Sequence, residues 1–321
     1  MKIYQHINEI KRDPNTVLTI GTFDGIHLGH QEILKKLFER SRFHNARNFL
    51  ITFHPHPRKV ILKGDDLKTL STPAEKALIL EKMGLENLLI INFTKEFSEQ
   101  SPKEFFRSFV IEKIGLREIV IGHDHKFGKG REGTSETLKT MAREFHFGIT
   151  LIDEFKVNSE IISSTKIRDA ILEGDIRKAN SYLGREYTFS GKVVVGDKRG
   201  KVLGYPTANI EIDDTDKLLP NLGIYAANVI IDNEKFEGLL SIGKRPTFYD
   251  SGEIVSEVYI YNFERNIYSQ KITVSILDKI RDEEKFLSPE ALINQMNKDK
   301  EAGIKIFKQL NSSKKISKLE N

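Results

Sequence analysis

The stretch that decides the fold reads Val17-Leu18-Thr19-Ile20-Gly21-Thr22-Phe23-Asp24-Gly25-Ile26-His27-Leu28-Gly29-His30. Val17–Ile20 is a short apolar run of the kind that forms a buried strand, and Gly21 and Gly25 mark a tight turn. Ile33, Leu34, Leu37 and Phe38 then recur at helical spacing. Strand, glycine turn and helix follow in that order. His27 and His30 therefore sit at a helix start, where backbone N–H groups without intrahelical partners and the positive end of the helix dipole favour phosphate.

Working outward, further apolar runs appear at Phe49–Phe53, Leu88–Phe93, Glu118–Ile121 and Thr150–Ile152, with helical patterns near 29–44, 73–83, 102–114 and 135–147 between them. This alternation predicts an α/β domain: a parallel sheet with helices on both faces. Ligands of such sheets bind outside the carboxyl ends of the strands, which is where the histidine turn falls. Short helices at Ser164–Leu172 and Asp175–Leu183 close the first half, and Gly184-Arg185-Glu186 reads as a junction.

Six strand-like segments come next: Tyr187–Val195, Ala208–Ile212, Ile224–Ile231, Lys235–Ile242, Ile254–Tyr261 and Lys271–Ile276. Their spacing and turn residues predict a small six-stranded antiparallel β-barrel or sandwich. A C-terminal helix starts at Ser288-Pro289-Glu290, with Ser288 as N-cap and Pro289 in the first turn. The expected domains are 1–183 and 187–310, with an Asn/Ser/Lys-rich tail at 311–321 that should fray.

Composition sets the outer limits. The chain has 321 residues, 39% of them hydrophobic and 30% charged, which fits two packed domains. A net charge of +4, from 50 basic and 46 acidic side chains, demands no nucleic acid but suits anionic small molecules. Without cysteine, disulfides and thiolate metal sites are excluded. Met1–Asn8 lacks a signal-peptide apolar core, and no stretch is apolar for long enough to span a membrane. The expected location is cytoplasmic, with no membrane partner and a monomer or weak homo-oligomer.

Six of the nine histidines fall in close pairs, His27/His30, His54/His56 and His123/His125, each after a predicted strand, with Asp24 and Asp124 beside two of them. All three pairs should gather at one sheet edge. A metal site is one reading. It ranks below phosphate binding, because the glycine turn already offers anion geometry and no pair has the spacing of a zinc helix. In His54-Pro55-His56-Pro57-Arg58-Lys59, two stiff prolines and two cations suit a fixed anion. At Ile162-Ser163-Ser164-Thr165-Lys166-Ile167-Arg168 hydroxyls meet a helix start. An ordinary N-cap would explain the hydroxyls, but cations in the first turn oppose the dipole and point to an anionic ligand.

His27-Leu28-Gly29-His30 together with Ser163–Arg168 resembles the two signatures of the nucleotidylyltransferase superfamily, which lie at opposite ends of a Rossmann-like domain. Gly21–His30, Phe53-His54-Pro55-His56-Pro57 and Gly122–Gly133 narrow the resemblance to the FMN adenylyltransferase module of prokaryotic bifunctional riboflavin kinase/FAD synthetases. In that family an acidic and an aromatic residue usually flank the Asp of the Gly122 motif, whereas here His123 and His125 flank Asp124.

The second half adds its own signals. Gly196-Asp197-Lys198-Arg199-Gly200-Lys201-Val202-Leu203-Gly204 is a basic glycine loop able to close backbone N–H groups around phosphates. It leads into Pro206-Thr207-Ala208-Asn209, where Thr207 and Asn209 share one face of a strand and offer hard oxygen ligands for Mg²⁺ with ATP. The run resembles the Pro-Thr-Ala-Asn motif of riboflavin kinases. Ile242–Phe248, Glu257 and Ile280–Phe286 match further motifs of that family in order, with Tyr205 in place of a common Phe and Ser269 in place of a usual Gly.

The resemblance implies that Glu257 is the base for the riboflavin 5′-hydroxyl, that Thr207 and Asn209 stand at Mg-ATP, and that Gly196, Lys201, Gly204 and Arg281 help bind the kinase substrates. It implies that His27 and His30 donate to the phosphates of a second ATP, aided by Ser164, Thr165 and Arg168. Gly21, Phe23, Asp24, Gly29, His54, Asp124 and Ser163 would complete that nucleotide and flavin site. Riboflavin, FMN and FAD would then be substrate, intermediate and product.

Other readings are an adenylyltransferase for pantetheine phosphate or nicotinamide mononucleotide, which would not need the C-terminal half, a non-catalytic flavin-binding regulator, and a metal-dependent hydrolase built on the histidine pairs. Two motif matches are decoys. Gly238–Lys244 fits Gly-x4-Gly-Lys, but Arg245 replaces the Mg²⁺-binding hydroxyl and the interior reads as a strand. Gly128–Gly133 fits the dinucleotide fingerprint without directly following its strand.

Overall fold

The computed structural model describes residues 1–62, 66–123, 126–157, 159–196, 204–244 and 254–317. The chain divides into two units, Met1–Ser164 and Thr165–Asn321.

In the first unit, strands β1 (Lys2–Tyr4), β2 (Thr16–Ile20), β3 (Arg47–His54), β4 (Asn87–Asn92), β5 (Glu118–Gly122) and β6 (Gly148–Ile152) form a parallel sheet in the order β1-β4-β3-β2-β5-β6. Every residue of β2 is buried, because a central parallel strand is covered on both faces. Val17 points to a core with Leu34, Leu37 and Leu80, and Leu18 and Ile20 point to the opposite core with Phe106, Val110 and Leu138.

The covering helices are α1 (Leu28–Phe43), α2 (Pro57–Ile61), α3 (Pro73–Lys82), α4 (Lys95–Ser98), α5 (Pro102–Phe105) and α6 (Ser135–Phe145). Beyond α5 the predicted 102–114 helix widens into a π-helical stretch, Phe106–Ile114. Sequence periodicity missed β1, which has only three residues, with Lys2 and Ile3 exposed.

The chain runs from β2 outward through β3 and β4, then crosses back to place β5 on the other side of β2. The order reverses between β2 and β5, so a crevice opens beyond their carboxyl ends. The segments carrying His27/His30, His54/His56 and His123 all leave that edge, as the sequence predicts. A small hairpin, β7 (Lys156–Val157) with β8 (Glu160–Ile161), follows β6.

Helices α7 (Ser164–Glu173) and α8 (Ile176–Leu183) come next, and the unit boundary falls in the first turn of α7. Helix α8 belongs with the second unit. Asn180 donates to the Ile276 carbonyl and accepts from the Tyr187 N–H, and Arg177 pairs with Asp278.

Strands β9 (Tyr187–Val194), β10 (Thr207–Ile212), β11 (Gly223–Ile231), β12 (Glu234–Lys244), β13 (Ile254–Ile260) and β14 (Lys271–Arg281) close into an antiparallel barrel, β10-β13-β12-β11-β14-β9. Tyr187, Phe189 and Val193 on β9 and Ser256, Val258 and Ile260 on β13 are buried at every second position, as a half-buried strand requires. The Gly-x4-Gly-Lys decoy is the body of β12. A Cβ on Gly238 would lie 2.4 Å from the Tyr259 carbonyl oxygen.

Helix α9 (Pro289–Ser317) packs Phe307 against Ala226 and Leu277. The stretch after Leu310, where fraying was expected, stays helical to Ser317. No glycine or proline interrupts it there. Ser269, in place of a usual glycine, holds φ at 64°, so the turn keeps its left-handed backbone with a non-glycine residue.

Candidate active sites

The first site is built by the loop between β2 and α1. Phe23 and Ile26 take positive φ (45° and 41°) on either side of Gly25 (80°), a backbone that non-glycine residues rarely hold unless their surroundings fix it. Those surroundings are specific. The Asp24 carboxylate is buried and accepts from the Leu70 and Ser71 N–H groups. The Gly25 N–H donates to the Ser71 hydroxyl, and the Ser164 hydroxyl donates to the Asp24 carbonyl. Asp24 thus shapes the turn through its side chain, and Ser164 ties the second signature to the first.

His27 is the N-cap of α1. Its Nδ1 accepts from the His30 N–H at 3.4 Å, which puts the proton of the neutral ring on Nε2 and makes that nitrogen a donor. The His27 and His30 rings stack with centroids 3.7 Å apart, and Phe23 lies 4.8 Å from His30. A Cβ on Gly29 would come within 3.2 Å of the His27 ring, and one on Gly21 within 3.0 Å of the Phe23 ring, so a side chain at either position would crowd those rings.

Two cavities open from this loop. The smaller, about 290 Å³, is lined by Gly21, Phe23, His27, Gly29, His30, Ser163 and Ser164, with the ends of β5 and β6. The larger, about 690 Å³, is mostly apolar, walled by Phe53, Phe93, Phe97, Phe105 and Phe127, with His56, Arg58 and Lys126 at its polar side. Both are lined by Ile20, Gly21 and Thr22, so their occupants would meet at that point.

His56 lines the larger cavity, whereas His54 and His123 line neither. Asp124 and His125 lie outside the described residues. Thr165 and Arg168 continue along α7, Thr165 exposed and Arg168 buried. Among the described residues no three His, Asp or Glu side chains converge as a metal centre would need. The Gly128–Gly133 decoy is a short loop closed by pairing of Phe127 with Gly133.

Sequence reasoning missed Lys76 and Thr52, which lie beneath this loop. Lys76 is only 7% exposed, and its Nζ donates to the Thr22 carbonyl at 2.6 Å and to the Thr52 hydroxyl at 3.1 Å. Burial pushes its ammonium down from 10.5 to about 8, against the pull of Asp24 toward the charged form. The available signal was a lysine directly after the Thr72–Glu75 capping box, on the face of α3 that also buries Leu80. It also missed the aromatic wall, although five phenylalanines between 93 and 109 announce one.

The second site lies on the barrel. Asn209 stands opposite Glu257 in the β10–β13 ladder, and Ser241 flanks Glu257 on β12, so all three share one face. The Thr207 hydroxyl donates to Glu257 Oε2 at 2.9 Å. Asn209 is 8% exposed, and its Oδ1 finds no hydrogen-bond partner among the described residues, which leaves that oxygen open to a ligand or a water. Gly196 presses on that amide, since a Cβ there would fall 2.0 Å from Nδ2.

Gly204 takes φ of 80° just before the strand, and Lys201 lies outside the described residues. Tyr205 gives its extra hydroxyl to Asn297 and stacks edge-on to Tyr259. Arg281 is engaged by Asp299 through Nε and Nη2, both side chains well buried, with Gln295 donating to the same carboxylate. This places Arg281 in the bond between barrel and α9.

Residues 9–166 match a family model described as FAD synthetase, and residues 183–307 match one described as riboflavin kinase. The bifunctional riboflavin kinase/FMN adenylyltransferase of Listeria monocytogenes is 37% identical over 93% of this chain and 94% of its own. That of Buchnera aphidicola (subsp. Schizaphis graminum) is 36% identical over 96% of this chain and 99% of its own. A crystal structure from Streptococcus pneumoniae, described as a macrolide-efflux protein, superposes with a TM-score of 0.86 at 32% identity, over 94% of this chain and 98% of that one. What it shares with this chain is the architecture. Among the described residues no helix is long and apolar enough to cross a membrane.

Proposed function

The chain belongs to the family of bifunctional riboflavin kinase/FMN adenylyltransferases, with an N-terminal FAD synthetase and a C-terminal flavokinase domain, and from that premise we propose which residues carry each reaction. We assign 1–183 to adenylyl transfer and 187–310 to riboflavin phosphorylation, with 311–321 serving neither.

In the kinase half, Glu257 takes the proton of the riboflavin 5′-hydroxyl as that oxygen attacks the γ-phosphorus of ATP and ADP leaves. Thr207 orients the carboxylate through its 2.9 Å hydrogen bond. Asn209 Oδ1, without a partner among the described residues and on the same strand as the Thr207 hydroxyl, suits a hard cation, so Thr207 and Asn209 are the residues that would hold Mg²⁺ with ATP. When bound, that ion would offset phosphate charge. Gly196, having no side chain, leaves the room that the Asn209 amide occupies.

In the adenylyltransferase half, a phosphate oxygen of FMN attacks the α-phosphorus of ATP, the bond to the β-phosphate breaks and pyrophosphate leaves. FMN brings its own nucleophile, so the protein aligns the groups and stabilises charge. The observation that carries this reading is the meeting of two cavities at Gly21 and Thr22. The larger, lined by phenylalanines, suits a flavin ring, with Arg58 and Lys126 beside its phosphate. The smaller, with His27, His30, Ser163 and Ser164, suits ATP phosphates, and the rest of that motif, Thr165 and Arg168, follows on the helix that Ser164 opens.

The test is incubation of the purified chain with riboflavin and Mg-ATP, with flavins separated over time. FMN followed by FAD is the expected course, and absence of both overturns the reading. His30→Ala should stop FAD formation while FMN still accumulates.

A further inference from the structure

We infer that Lys76, with Thr52, is a positioning residue for adenylyl transfer: together they clamp the Thr22 carbonyl and so set the peptide at which the two cavities meet. The inference rests on the adenylyltransferase reading of that site.

Three features carry it. First, the Thr22 carbonyl accepts twice, from Lys76 Nζ at 2.6 Å and from Thr52 Oγ1 at 2.9 Å, and Lys76 also donates to Thr52, closing a triangle. Both side chains are buried, at 7% and 1% exposure. Second, Thr22 lines both cavities, and the peptide unit is planar and trans. Fixing the Thr22 oxygen toward Lys76 therefore turns the Phe23 N–H the opposite way, out of the core. Third, the same segment of chain holds the rest of the loop. Leu70 and Ser71, just ahead of α3, bind the Asp24 carboxylate and the Gly25 N–H, so Lys76 completes one continuous clamp.

An apolar residue would cost less to bury than an ammonium, so packing does not explain a lysine at this position. A cation behind a carbonyl also polarises the peptide and makes its N–H a better donor to an incoming anion. The lysine lines neither of the two cavities, and its effect passes through the Thr22–Phe23 peptide.

The test uses the full chain with three substitutions, Lys76→Met, Thr52→Val and Thr52→Ser, assayed beside the wild type for both reactions. FAD formation from FMN and ATP by the wild type tests the underlying reading; the variants test the clamp. Lys76→Met is expected to lower kcat for FAD formation on the order of 10²-fold, the effect of a displaced reacting geometry. The FMN dissociation constant, read from flavin fluorescence, should move less than about threefold. Riboflavin kinase activity of the same molecules should stay within about twofold, since its site is on the barrel.

If Lys76→Met does not fold, the Thr52 pair decides. Thr52→Ser keeps the hydroxyl and should retain kcat, whereas Thr52→Val keeps the shape and should lose it. Full kcat in Lys76→Met overturns the inference. So does a change confined to substrate binding, or equal damage by Ser and Val at position 52.

Discussion

The hydroxyl of Thr207 donates to the carboxylate of Glu257 across 2.9 Å, joining the first residue of β10 to the middle of β13. One lone pair of Glu257 is thereby used for orientation, while the rest of the carboxylate can take a proton. Under the proposed assignment the Thr207 hydroxyl would serve the base as well as the nucleotide, which a Val side chain of the same shape could not do. We predict that Glu257→Gln lowers riboflavin phosphorylation by about 10²–10⁴-fold, the usual worth of a general base. Conversion of supplied FMN to FAD should be unchanged. Equal loss of both activities in a folded variant would refute the division of labour.

Gly196 gives a second, purely steric prediction. Its missing side chain makes room for the Asn209 amide, and a methyl group there would sit 2.0 Å from Nδ2. Gly196→Ala must therefore push Asn209 aside, and kinase kcat should fall on the order of 10²-fold, as for a misplacement of about 1 Å. Adding Mg²⁺ in excess should recover part of that loss if Asn209 holds the metal as proposed. Steady-state kinetics over a Mg²⁺ titration checks this; a wild-type response would show that Asn209 does not serve the metal.

The parts of this molecule that were legible in the sequence are those written in local pattern. β2 and β3 showed because strands covered on both faces are continuous apolar runs, and the barrel strands showed because turn residues separate them. The histidine loop showed because a cap, a glycine and a helix start fall within ten residues. Contacts made across the chain did not show. Lys76 reaches Thr22 across 54 positions, and Asp24 meets Leu70 across 46, so their pairing depends on how α3 docks against β2 and β3. The part that the Asp24 carboxylate plays in folding the loop was hidden in this way. The pairing of Arg281 with Asp299 was hidden for the same reason, Asp299 being on a helix the motif does not include.

Lys76 also makes a prediction about pH. Burial lowers its folded-state pKa to about 8, while the unfolded chain titrates near the ordinary 10.5. Between those values the unfolded state holds more protons than the folded one, so stability rises with pH through that window. Below about 8 both states are protonated and the burial cost is fully present. The change across the window is up to about 3 kcal/mol, from 1.36 kcal/mol per pKa unit. Urea unfolding of wild type and Lys76→Met at a series of pH values isolates it, since other titrating groups cancel in the difference. The wild type should gain on the variant from about pH 8 to 10.5; a flat difference would mean that the ammonium is not held in a costly environment.

His27 is a helix cap and, in the proposed assignment, a member of the phosphate site, and the two roles can be separated. Its Nδ1 receives the His30 N–H, so removing the ring leaves an N-terminal donor of α1 without its acceptor. His27→Ala should lose about 1 kcal/mol of stability for that reason, together with adenylyl transfer. Asn is among the best N-caps and can accept the same N–H. His27→Asn should therefore recover most of the stability and none of the activity, because it cannot supply the imidazole Nε2–H that the proposal assigns to the phosphates. The stacked His30, 3.7 Å away, adds a further consequence. Once the His27 ring is gone, the His30 ring loses the surface it stacks on and keeps Phe23 at its other contact, so His27→Ala/His30→Ala should be little worse in FAD formation than either single variant. Full additivity in that double-mutant cycle, measured on kcat with FMN and ATP saturating, would show that the two histidines act independently and that their stacking has no part in the reaction.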